Sequence, residues 1–190
     1  MKTGLFFGSF NPVHIGHMAI ANYMLEFTEI QELWFVVSPQ NPFKAKKTLL
    51  NQYDRLEMVN LAISGFPRMM ASDIEFRLPQ PSYTINTLTY LSEKFPTREF
   101  LLIMGTDGLN KFHRWKNADV IMKNYKRVIY PRHGTKAYPE NNMQNAVLVD
   151  APMIEISSSF IREAIKNRKN VHFFLPPKVY QYIDEMGFYA

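Results

Sequence analysis

The chain has 190 residues, 46% hydrophobic and 21% charged, the proportions of a globular protein with one large domain or a domain plus a small C-terminal extension. It contains no cysteine, which excludes disulfides, thiolate metal sites and a thiol nucleophile. The net charge is +5 and the pI about 9.3, which suits anionic partners. The basic residues are spread along the chain, with one short cluster at Lys44, Lys46 and Lys47. Small phosphorylated molecules therefore fit better than a long polyanion, and nucleic acid is not expected as a partner. No apolar run is long enough to span a bilayer, so no membrane partner is expected either. Residues 1–10 hold too short an apolar stretch for a signal peptide and lack its small-residue cleavage site, which predicts a first strand and a cytoplasmic protein.

In chain order, residues 2–7 read as a strand and 15–29 as a helix with Ile15, Met18, Ala21 and Leu25 on one face. Residues 33–37 are a second strand, followed by a polar, lysine-bearing loop over 40–50. Helical spacing returns at 53–63, where Leu56, Val59 and Ile63 align. Strands are predicted over 69–76, 100–104, 128–130 and 146–149, and helices over 83–94, 118–124, 159–167 and 178–186. Residues 131–145, with two prolines, a glycine and several asparagines, predict a loop. The alternation of buried-type strands with helices predicts an α/β protein with a doubly wound, mainly parallel sheet. Residues 1–190 read as one domain with a helical C-terminal portion from about 157. Ligands bind such sheets at the carboxyl ends of the strands, where Gly8, Ser38, Gly105 and the segment around Ile156 fall.

Two constellations carry chemistry. The first is Gly8-Ser9-Phe10-Asn11-Pro12-Val13-His14-Ile15-Gly16-His17, at a strand-to-helix turn. Gly8 permits a tight turn and close approach of a ligand. Pro12 needs no backbone donor just ahead of the helix. His14 and His17, three apart, share a face of the first helical turn, where free N–H groups and the helix dipole favour an anion. The bland alternative is two solvated histidines. The second constellation is Ile156-Ser157-Ser158-Ser159-Phe160-Ile161-Arg162. Its serines cap a helix start and can hold a phosphate, and Arg162 presents a fixed fork of donors. By itself this is as well read as an ordinary serine cap. The P-loop and G-x-G-x-x-G patterns are absent, so neither a P-loop ATPase nor an ordinary dinucleotide-binding dehydrogenase is supported. The zinc motif H-E-x-x-H is absent as well.

The H-x-G-H of His14 to His17 and the late I-S-S-S-F-I-R resemble the nucleotidyltransferase superfamily, and nearly the whole chain resembles bacterial nicotinate mononucleotide adenylyltransferases. Three further segments match in order: Ser38-Pro39-Gln40-Asn41-Pro42-Phe43-Lys44, then Pro81-Ser82-Tyr83-Thr84 with Thr87-Leu88, then Gly105-Thr106-Asp107 with Trp115. There are departures. The turn Gly8-Ser9-Phe10-Asn11-Pro12 resembles the eukaryotic branch, the late motif has Ser159 for threonine, and Phe43 stands where the family has histidine.

The resemblance implies a Rossmann-like fold of the nucleotidyltransferase α/β phosphodiesterase type. It implies transfer of AMP from ATP to nicotinate mononucleotide, giving deamido-NAD and pyrophosphate. ATP is expected across Gly8, Ser9, Phe10, His14, His17, Gly105, Asp107, Ile156, Ser157, Ser158 and Arg162. Asp107 is expected at the ATP ribose, although a helix cap would explain it equally. The mononucleotide is expected against Asn11, Lys44, Thr84, Trp115 and Arg132, with Trp115 stacking on the ring. The catalytic group is expected to be His14, His17, Lys44 and Arg162, with Mg²⁺ carried by the ATP phosphates and no metal ligands on the chain. Three rivals are weighed. An aminoacyl-tRNA synthetase shares the letters H-I-G-H, but a loop faintly like K-M-S-K-S comes too early, at residues 44–48. A phosphopantetheine or phospho-alcohol transferase lacks a use for Tyr83, Thr84 and Trp115. An RNA binder would need a basic–aromatic surface pattern that is not seen, and a silent nucleotide sensor would bind ATP without releasing pyrophosphate.

Overall fold

A computed structural model describes residues 1–39, 49–134 and 143–190. The elements run β1 (Lys2–Gly8), α1 (Ile15–Phe27), β2 (Glu32–Val37), α2 (Gln52–Ile63), β3 (Met69–Ser72), α3 (Thr84–Lys94), β4 (Glu99–Gly105), α4 (Thr106–Asn110), α5 (Ala118–Asn124), β5 (Arg127–Tyr130), β6 (Ala146–Leu148), α6 (Ser158–Lys166) and α7 (Pro177–Met186). The sheet order is β3-β2-β1-β4-β5-β6, and every neighbouring pair is parallel. The chain winds outward from β1 to β3, then returns to place β4 on the other side of β1. The connections leaving β1 and β4 thus diverge, and a crevice opens between their carboxyl ends.

The central strands are apolar over residues 4–7, 33–37 and 100–104 because both faces are covered there. Alternate residues point to opposite faces. Phe6, Phe35, Val37, Ile103 and Val128 join Ile20, Met24, Met58, Val59, Ile161, Val179 and Ile183 in a core beneath α1, α2, α6 and α7. Leu5, Trp34, Val36, Leu102, Met104 and Ile129 face Ile85, Leu88, Leu91, Leu109, Phe112 and Ile121 in a second core beneath α3 to α5. Both of the last two helices therefore build the same core as the first two. No helix among the described residues is long and apolar enough to cross a membrane.

The strand expected over 69–76 is corrected. It ends at Ser72, and residues 74–76 coil into a 3₁₀ turn. Asp73 turns the backbone (φ −91°, ψ 12°), Phe76 N–H bonds to the Asp73 carbonyl at 2.8 Å, and the Asp73 carboxylate pairs with Arg77. These local bonds outcompete the sheet ladder. The first helix stops at Phe27, two residues short of the expected end, because the Thr28 hydroxyl donates to the Met24 carbonyl and accepts from Ile30 N–H. The short helix α4, directly after β4, was not predicted. With only five residues, it carries no helical period to read.

Candidate active site

Two clefts open side by side at the carboxyl ends of the strands. The first, of about 280 Å³, lies among Gly8, Ser38, Glu75, Tyr83, Thr84, Gly105, Asp107 and Trp115. The second, of about 290 Å³, is lined by His14, Gly16, His17, Ile20, His133, Ile156 and Ser157. Phe6, Tyr130 and Arg132 belong to both walls.

The second cleft sits at the start of α1. His14 is the residue that opens the helix, in extended backbone geometry, and its own N–H donates to His17 Nδ1 at 3.3 Å. A neutral imidazole that accepts at Nδ1 carries its proton on Nε2, so His17 can act as a donor there. The two rings lie 3.7 Å apart between centroids, tilted by 32°. Gly16 makes this possible, because a Cβ at that position would come within 3.0 Å of His14 Nδ1. His14 is only 5% exposed, and its Nδ1 is buried with no hydrogen-bond partner among the described residues. Burial pushes its pKa down to about 4, and the charge of Arg132 acts in the same direction. His14 is therefore a neutral imidazole at physiological pH. The start of α6 forms the other wall: Ser157 caps it, its hydroxyl accepting from Phe160 N–H at 3.1 Å.

The first cleft is more aromatic. Trp115 rests at 5.3 Å on Phe112 and presents its remaining surface to the cleft. Tyr83 precedes α3 without a side-chain cap, and Lys116 Nζ sits 4.5 Å above its ring. Arg132 reaches Asp107 at 3.6 Å, while its N–H donates to Thr106 Oγ1. A Cβ on Gly105 would come within 2.5 Å of Asp107 Oδ1 and 2.7 Å of Arg132 Cδ, so a side chain there would displace this pair.

The structure divides the expected residues into three groups. It brings His14, His17, Ile156 and Ser157 to one cleft, and Gly8, Gly105, Asp107, Thr84 and Trp115 to the other, with Arg132 between them. Gly105 and Asp107, expected with ATP, thus share a wall with the residues expected for the mononucleotide. The remaining described residues lie behind the walls. Phe10 is 2% exposed, in left-handed backbone (φ 43°), with its ring edge-on to His17 at 5.1 Å. The Ser9 carbonyl accepts from Arg55, the Ser158 hydroxyl donates to the Pro12 carbonyl, and Arg162 donates to the Asn11 carbonyl at 2.8 Å and to Ser159 Oγ. Asn11 Oδ1 accepts from Leu50 N–H and from the Tyr189 hydroxyl. Lys44 lies outside the described residues.

Sequence reasoning missed Arg55. Its side chain is 1% exposed, and its guanidinium donates to the carbonyls of Ser9, Ser38, Pro39 and Leu50. The signal was available: residues 55, 58, 59, 62 and 63 form the buried stripe of α2, which places a charge on a core-facing line. Glu75 and Tyr130 were missed too, the one in an unanticipated turn and the other at the end of β5.

Among the described residues, no three histidine or acidic side chains are close enough together to hold a metal ion.

The model for cytidylyltransferase-like proteins matches residues 5–164. The chain is 53% identical over 191 aligned residues to a protein of Flavobacterium psychrophilum described as a probable nicotinate-nucleotide adenylyltransferase, covering 100% of this chain and 99% of the relative. A protein of the same description from Bacteroides thetaiotaomicron is 49% identical, covering 97% and 92%. The chain belongs to the cytidylyltransferase-like family, among the nicotinate-nucleotide adenylyltransferases. The fold of this adenylyltransferase family recurs in a solved structure of Plasmodium falciparum nicotinic acid mononucleotide adenylyltransferase complexed with NaAD. That structure has a TM-score of 0.81 at 18% identity, over 99% of this chain and 97% of the other.

The neutral state of His14 gives a family member of this kind an acid sensitivity. Its folded pKa of about 4 lies below the ordinary 6.5, so its contribution is complete above pH 6.5 and is lost as pH falls toward 4. At about 1.4 kcal/mol per pH unit, the loss is at most roughly 3 kcal/mol. Urea titrations across this range are expected to show a smaller acid-side loss of stability in His14→Asn than in the wild type, and identical slopes would contradict the burial argument.

Proposed function

We propose that the protein acts in the cytoplasm to transfer AMP from ATP to nicotinate mononucleotide, giving deamido-NAD and pyrophosphate, a step of NAD biosynthesis. The observation that carries this reading is the pair of clefts that meet at Phe6, Tyr130 and Arg132. One has the starts of two helices and two histidines, the equipment of a phosphate site. The other has an indole, a phenol and the start of α3, which suit a flat ring bearing a small anionic substituent. The relatives, at about half identity over the full length, support the same assignment.

In this reading a 5′-phosphate oxygen of the mononucleotide attacks the α-phosphorus of ATP in line. The bond from that phosphorus to the α,β-bridging oxygen breaks, and pyrophosphate leaves with the electron pair. No protein nucleophile is needed. The chain aligns two anions and stabilises negative charge as it shifts toward the leaving group. Nε2–H of His17 and the N–H groups opening α1 are aimed at the phosphates. Neutral His14 contributes hydrogen bonding without requiring a buried charge. Arg132, on the shared wall, is within reach of both ligands. ATP enters with Mg²⁺ on its phosphates. The single carboxylate on the walls of the first cleft besides Glu75 is Asp107, already paired with Arg132, which fits a cation brought by the substrate better than a cage on the chain. Arg162 and Ser158 serve by holding the turn at residues 8–12, and Lys44 is assigned to the mononucleotide phosphate.

Pyrophosphate release from ATP and Mg²⁺ is expected with nicotinate mononucleotide, and much more slowly with the nicotinamide form. No release with either would refute the acceptor assignment and direct attention to phosphopantetheine. His17→Ala should lower turnover by roughly 10²–10³ with little change in melting temperature, so wild-type turnover in the folded variant would remove His17 from the mechanism. Trp115→Ala should raise KM for the mononucleotide more than KM for ATP, whereas equal increases would argue against ring stacking.

A further inference from the structure

Glu75 is a carboxylic acid that neither the sequence motifs nor the mechanism uses, yet it lines the first cleft and is 1% exposed. It sits in the 3₁₀ turn after β3, opposite the start of α3. Thr87 Oγ1, one turn inside α3, donates to its Oε1 at 2.8 Å. Its backbone is tied to the same region, since Gln80 Nε2 donates to the Glu75 carbonyl at 2.9 Å and Ser82 Oγ donates to Gln80 Oε1. Glu75 therefore braces residues 80–87 twice, once by side chain and once by backbone. That segment carries Tyr83 and Thr84, which wall the cleft, and Tyr83 gives α3 no side-chain cap. The position of this helix start depends on the brace.

The charge state follows from the partners. Among the described residues, Oε2 of Glu75 is buried with no hydrogen-bond partner, and no lysine or arginine is bonded to the carboxyl. An ionised carboxylate at this depth, facing hydroxyl donors and no bonded cation, is costly. Burial pushes the carboxyl up from the ordinary range, tempered by the hydroxyls of Ser38, Thr87 and Ser82. The cationic and acidic groups on the cleft wall are elsewhere engaged or exposed: Asp107 with Arg132, Lys116 over Tyr83, and Arg114 at the surface. Asp73 on Glu75's own turn pairs with Arg77. A negative charge at this depth would also oppose an acceptor that is itself anionic.

We propose that Glu75 is a positioning residue for the acceptor, acting as an uncharged acid that holds the start of α3 against the cleft through Thr87. The proposal rests on the acceptor reading of the first cleft, and wild-type turnover with nicotinate mononucleotide tests that reading separately. Steady-state KM and kcat for mononucleotide and ATP would be measured at neutral pH for wild type, Glu75→Gln, Glu75→Ala and Thr87→Val. Glu75→Gln keeps shape and neutrality and should stay within about twofold of wild type. Glu75→Ala and Thr87→Val should each raise KM for the mononucleotide about tenfold, the loss of one buried hydrogen bond, with KM for ATP unchanged. Combining them should cost little more than either alone, because both break the same bond. If Glu75→Ala does not fold, Thr87→Val, nearly isosteric, carries the same comparison. A Gln variant as impaired as the Ala variant would show that the charge is required and overturn the proposal. So would equal increases in both KM values, or no increase at all in an otherwise active enzyme.

Discussion

One backbone turn, residues 8–12, is gripped by four side chains from three remote parts of the chain, and both clefts are built outward from it. Arg55 from α2 takes the Ser9 carbonyl, Ser158 takes that of Pro12, and Arg162 takes that of Asn11. Tyr189, beyond α7, takes the Asn11 side chain. The need for these grips is physical. The turn carries carbonyl groups that point away from any ladder or helix, and one of its residues, Phe10, is in left-handed geometry. Unpaired, those groups would favour other conformations of the turn. Held, they fix where β1 stops, where α1 starts and how far apart His14 and His17 lie. Arg55 extends the constraint sideways. The same guanidinium that holds Ser9 also holds Ser38 and Pro39 after β2 and Leu50 before α2. A buried cation costs desolvation, which shows as a lowered pKa, and it is compensated here by carbonyl dipoles from several directions.

Much of this arrangement was legible in the sequence, and the remainder has definite reasons for not being so. The parallel order was readable because strands buried on both faces have to be continuously apolar, as residues 33–37 and 100–104 are. The wall of the second cleft formed by the start of α1 was readable because its parts, His14, Gly16 and His17, are adjacent in sequence. Partners were not readable where they meet only in space. Arg162 has the chemistry of a phosphate ligand, and only tertiary structure shows its fork bonded to a backbone carbonyl and a serine. Asp107 and Gly105 carry the signature of a strand-end nucleotide contact, and only tertiary structure shows that they share a wall with Tyr83, Thr84 and Trp115. Glu75 fell within a stretch that resembles a strand by composition, and a carboxylate in such a stretch gives no sign that it will be buried.

The division of labour between the clefts also explains the modest charge of the site. The chain carries a net charge of +5, yet the described walls of the second cleft hold three histidines, of which His14 is neutral, and a single arginine. Backbone N–H groups at the starts of α1 and α6 supply much of the remaining attraction. Such donors are fixed by the fold, need no reorganisation as charge moves, and leave no large uncompensated field in the empty protein.

Arg132 stands on the wall common to both clefts and is bound to Asp107, on the acceptor side. Whatever anion arrives first alters the field that this cation offers to the second. Such a coupling is reciprocal by thermodynamic necessity. If the nucleotide makes the mononucleotide bind more tightly, the mononucleotide does the same, by the same factor, for the nucleotide. With the two ligands seated as proposed, an arginine shared between the clefts would make each ligand an effector of the other without a distant regulatory site.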